Sequence, residues 1–170
     1  MIRPSATVLI AALAVALAAC ADVAPPEQPS FYRSMANPTA ELDAATAASM
    51  ISGYRHNNGL AAVTVDQTLM QMAQTQAQAM AMRDKVDSDA KGAFAKRMKA
   101  AGFDAKVSGE NISAGYHTLA EAFSGWRDSP PHRANMLKAG VSRIGIAAVY
   151  TPSSKYKVFW ALILAAPEAS

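Results

Sequence analysis

The chain has 170 residues, 16 of them lysine or arginine against 13 aspartate or glutamate, a formal net charge of +3, and one cysteine. The small positive charge is dispersed and forms no basic run, which speaks against a nucleic-acid binder. A lone cysteine excludes an internal disulfide, so any exported form must be stabilised by its core.

In chain order, Arg3 precedes an apolar or small-residue run from Val8 to Ala19. The run is too short to span a bilayer comfortably and reads as the core of a secretory signal. It closes on Leu17, Ala18, Ala19, Cys20, which resembles a bacterial lipobox, where the cysteine is lipidated and becomes the first residue of the mature protein. A plain signal peptide with an incidental thiol is the alternative. The expectation is a signal peptide at 1–19, lipid on Cys20 and a mature chain of 151 residues, with 15 basic and 13 acidic side chains. That length is enough for one domain with one sizeable core. Ala21 resembles an outer-membrane sorting residue. Residues 20–38, with Pro25, Pro26, Pro29 and Pro38, predict an extended tether, and the folded, monomeric domain is expected over 39–166.

Ala40 to His56 has helical spacing, and Asn57, Asn58, Gly59 end it. Val63 and Val65 predict a short extended segment. Asp66 is the expected N-cap of a helix to about Lys85, burying Leu69, Met72, Ala73, Gln76 and Met80. The methionines suit irregular gaps between helices. Ala93 to Ala101 predicts a third helix, with Phe94, Met98 and Ala101 inward and Gly102 as its C-cap. Thr118 and Glu121 have the spacing of a capping box for a fourth helix that buries Leu119, Ala122, Phe123 and Trp126. Ser129, Pro130 and Pro131 stop it, leaving room for one more turn at Arg133 to Leu137. From Ile144 to Tyr150 and from Tyr156 to Leu164 the pattern becomes that of a hairpin turning at Thr151 to Ser154. Its second strand is apolar on both faces, so helices must cover both sides of the sheet.

Two patches carry candidate chemistry: Gly109, Glu110, Asn111, Ile112 with Gly115 and Tyr116, and the run Trp126, Arg127, Asp128, Ser129, Pro130, Pro131, His132, Arg133, Ala134, Asn135, followed by Arg143 to Ile146. In this order they resemble the CAP superfamily of cysteine-rich secretory, antigen 5 and pathogenesis-related proteins, in its bacterial SCP-like branch, over about residues 45–165. The resemblance implies an α+β fold of the CAP type: an α-β-α sandwich, its antiparallel sheet ending in a hairpin and covered by about four helices. It also implies a cleft that in many members holds two histidines and two glutamates. Glu110 and His132 match one of each. Asp87 stands where a histidine often does, and Ser129 where animal and plant members have a glutamate.

Three chemistries are open to these residues. Zinc would need three or four ligands, and only Glu110, His132 and Asp87 could make a weak site, since His56 and His117 show no ligand spacing. A Ser-His-Glu arrangement would use Ser129 or Ser108 as nucleophile, His132 as base and Glu110 to orient it, but no nucleophile elbow is present. The third reading is structural: Glu110 accepts from His132 and nearby amides, tying the loop after the third helix to the turn after the fourth, with Asn111 bonding loop backbone. This reading, with the resemblance, points to an exported lipoprotein that binds a hydrophobic small molecule or envelope component through a cleft of Glu110, His132, Asp87, Asn111 and Ser129. The membrane is engaged through the N-terminal lipid, and no cofactor is expected. A metal-dependent or Ser-His-Glu hydrolase is the alternative.

Overall fold

A computed structural model describes residues 27–90 and 92–168. The expected signal peptide, Cys20 and the first residues of the tether lie outside the described residues.

Five α-helices and four strands follow a 3-10 turn at Ser30–Tyr32: α1 (Ala44–His56), β1 (Thr64–Val65), α2 (Gln67–Arg83), α3 (Phe94–Ala100), β2 (Ala105–Ala114), α4 (Leu119–Asp128), α5 (Pro130–Met136), β3 (Arg143–Tyr150) and β4 (Val158–Pro167). The caps are local sequence choices. Asp43, Asp66 and Thr118 each accept a backbone N–H in the first turn of α1, α2 and α4, and Glu121 completes the box at α4. Pro130 starts α5, where a missing N–H costs nothing.

The strands form one sheet in the order β1-β3-β4-β2. β4 is central, antiparallel to both neighbours, while β1 adds a short parallel pair at the edge of β3. Alternation along β4 builds two cores. Val158, Trp160, Leu162 and Leu164 face α1, α4 and α5, whereas Phe159, Ala161, Ile163 and Ala165 face α2 and α3. A side chain at Gly145 would overlap the Leu69 backbone, so this glycine lets α2 lie against β3.

Several expectations change. The stretch after α3, read as a loop, is strand β2, paired with β4 from Ala105 to Ala114. It alternates glycine, serine, glutamate and asparagine, so no apolar period marked it. Ala101 is exposed rather than inward. Part of the stretch expected to be tether is packed on the fold: Phe31, Met35 and Ala40 lie on the first core, Met35 only 5% exposed, and the Met35 N–H donates to the His117 carbonyl at 2.6 Å.

Candidate functional site

Position on β2 decides what each site residue can reach. Glu110 lies opposite Ile163 and Asn111 opposite Leu162, so their side chains emerge on opposite faces of the sheet. Glu110 therefore points to the α2–α3 side and Asn111 to the α5 side.

On the first side, Glu110 meets Arg97 of α3. One guanidinium nitrogen, Nη2, lies 2.8 Å from both carboxylate oxygens, and the two side chains are 11% and 6% exposed, arginine first. Arg97 also donates from Nε to the Gly92 carbonyl and from Nη2 to that of Ser88. Burial pushes the Glu110 carboxyl up from its ordinary value; the hydrogen bonds and charge of Arg97 oppose this, and Asp89 adds to the rise. Gln76, wholly buried in α2, donates to the Asp87 carbonyl at 2.7 Å, so the backbone carbonyls of Asp87, Ser88 and Gly92 join Gln76, Arg97 and Glu110 in one polar layer beneath α2. The Asp87 carboxylate stays at the rim, accepting from the Asp89 N–H and standing 3.7 Å from Arg83.

On the other side, the Asn111 amide donates to the His132 carbonyl at 2.9 Å and accepts from Asn135, which also donates to the Glu110 carbonyl. Lys138 donates to the Ser108 carbonyl. These contacts fasten the outer edge of β2 to α5. The His132 ring has no hydrogen-bond partner among the described residues, and its partial burial lowers its pKa. Ser129 caps α5 without a side-chain bond.

The expected Glu110–His132 pair is thus replaced by Glu110–Arg97. The reason is register: once the stretch is a strand, a side chain at 110 faces away from α5. Arg97 carries no motif signal in a short helix among alanines and lysines, and its one local marker is its place next to Met98, the buried residue of that helix. His56 and His117 are exposed, as expected. Among the described residues no three histidine, aspartate or glutamate side chains converge as metal ligands. With both Glu110 oxygens engaged by Arg97, the residues present do not fit zinc.

The cavity nearest the pair is a groove of about 350 Å³ between α2 and α3, lined by Gln71, Met72, Thr75, Arg97, Ala100 and Ala101. Its walls are mostly apolar, with Arg97 as the one charged lining group. A second hollow shares Gln71, Met72 and Ala101 and extends it to Gln67 at the start of α2.

A three-layer α-β-α domain with the Gly-Glu-Asn-Ile strand beside a Ser-Pro-Pro-His-Arg helix defines the class. Residues 48–164 match the cysteine-rich secretory protein (CAP) family, and the chain belongs to it. A relative in Bacillus subtilis, described as the uncharacterized protein YkwD, is 32% identical over 106 residues, which are 61% of this chain and 41% of that one. The chain therefore spans about two fifths of that relative's length. Among solved structures, an outer surface protein of Borrelia burgdorferi aligns with a TM-score of 0.64 at 17% identity, covering 76% of this chain and 98% of that one. An extracellular SCP-domain protein of Bacillus anthracis aligns with a TM-score of 0.62 at 20% identity, covering 71% and 39% respectively. These likenesses establish the fold.

Proposed function

We propose that the chain is an exported, lipid-anchored binding module of a bacterial cell envelope, and that it holds a hydrophobic small molecule or envelope component in the α2–α3 groove. The observation that carries this reading is the occupancy of Glu110. A carboxylate whose two oxygens both meet a buried guanidinium is neither a free general base nor a ligand with open coordination sites, so Glu110 serves to hold Arg97 in the wall of a groove. Met72, Ala100 and Ala101 supply apolar surface, and the Arg97 side chain, its guanidinium held by Glu110, completes the wall. The extracellular and outer-surface descriptions of the Bacillus anthracis and Borrelia proteins support a site of action outside the cytoplasm. The lipobox at Cys20 supports the anchor.

The test is lipid mass spectrometry on protein purified from membranes, beside an Ala101→Trp variant that fills the exposed groove wall. We expect co-purifying amphiphile in the parent and a loss of most of it in the variant. An equal load in both would overturn the groove. After a high-salt wash, Cys20→Ser should be lost from the membrane fraction or remain only as unprocessed precursor, and processed protein retained as in the parent would defeat the anchor.

A further inference from the structure

Three large hydrophobic side chains stand exposed among the described residues, Tyr32, Met82 and Val86, and two of them fall within five residues at the end of α2. Met82 is 82% exposed. Single exposed hydrophobics are ordinary, but these two flank the charged run Arg83, Asp84, Lys85. The β3–β4 turn is fastened to the same corner: the Ser154 hydroxyl bonds the Asp84 carboxylate, and Thr151 lines one hollow with Met82. The turn adds Lys155, whose ammonium lies over the Tyr156 ring, and Lys157, which donates to the Pro152 carbonyl, so four cations belong to this corner. The acids near them are Asp84, held by Ser154, Asp87, which accepts the Asp89 N–H and faces Arg83 and Lys85, and exposed Asp89.

The N-terminal end of the described fold shares a connected stretch of surface with this corner. Gln28 and Met35 line a hollow that shares Met35, Asn37 and Ala40 with a second, and the second shares Val149 and Tyr150 with the one at Met82. The fold begins by Ser30, and ten residues of chain from Cys20 span at most about 35 Å. A domain lipidated at Cys20 is therefore confined to the bilayer surface.

We infer that the corner of Met82 and Val86 with Arg83, Lys85, Lys155 and Lys157 docks on an anionic lipid bilayer, Met82 entering the headgroup layer while the cations face lipid phosphates. The inference rests on the envelope-lipoprotein reading, and it is tested on unlipidated protein so that the two can fail separately. The processed chain from residue 20, carrying Cys20→Ser, is sedimented with phosphatidylglycerol and with phosphatidylcholine vesicles. We expect salt-sensitive binding to the first only, about tenfold weaker in Lys85→Glu/Lys155→Glu. Met82→Ser, an exposed change that should leave the Tm in place, should also weaken it. No binding to phosphatidylglycerol, equal binding to both vesicles, or variants that bind like the parent would overturn the inference. Mass analysis of Cys20 in membrane-purified protein decides the anchor on its own.

Discussion

At the scale of single residues, the sheet's alternation separates side chains that are neighbours in sequence. His132 is expected to titrate below the ordinary histidine value, because it is partly buried with no carboxylate beside it. A depressed pKa means the unfolded chain binds the extra proton first. Its contribution is thus full above about pH 6.5 and is lost as pH falls through the folded value. Proton NMR of the His132 ring checks this, and Glu110→Gln should leave the midpoint where it is; an upward shifted midpoint that falls in the variant would restore the Glu110–His132 pair. Arg55 is the other decisive side chain. It is 1% exposed and donates to the carbonyls of Ala61, Met136, Lys138 and Val141, joining α1 to the end of α5 and the approach to β3. Arg55→Met orphans these carbonyls and should cost at least about 3 kcal/mol in denaturant unfolding, with Arg55→Lys recovering only part because it lacks the fork.

At the scale of elements, caps make their own prediction. The Asp43 carboxylate accepts from the Thr46 N–H and hydroxyl and from the Ser30 hydroxyl, so it caps α1 and pins the N-terminal turn. Those hydrogen bonds hold its pKa at about 2. Its contribution is full above the unfolded value near 4 and is lost as pH falls through about 2. Asp43→Ala should lower the Tm at pH 7, with the difference closing in strong acid; a difference independent of pH would contradict the charge-based cap. The same elements show what sequence conveys. The helices after Asp66 and Thr118 were legible from cap and period, and β4 from its doubly apolar run. β2 was not, because an edge strand covered by polar layers carries no alternation of apolar and polar residues. Helical spacing in the sequence runs back to Ala40, four residues before α1 starts, since Ala40 and Leu42 have helical propensity but precede the Asp43 cap.

For the whole molecule, the two-faced sheet assigns the chemistry. Strand β4 fills both cores, Trp126 meets Trp160 edge-to-face on one side, and α2 with α3 closes the other. The family's motif order could be read from sequence, and so could the importance of Glu110 and His132. Their separation could not, because it depends on β2 being a strand in one particular register, where a shift of one residue exchanges the faces. Asp87 and Ser129, read with them as one cleft, likewise divide between the rim of the α2–α3 side and the start of α5.

Glu110 and Arg97 form an architectural pair, and a double-mutant cycle on folding stability measures their coupling. Arg97→Met and Glu110→Leu should each cost about 3–5 kcal/mol at pH 7, because each strands a buried charge, while the double variant should recover at least half of the summed loss. The Arg97→Met deficit should shrink as pH falls and the stranded carboxyl takes a proton. Single variants with parental stability, or strictly additive losses in the double, would contradict the account.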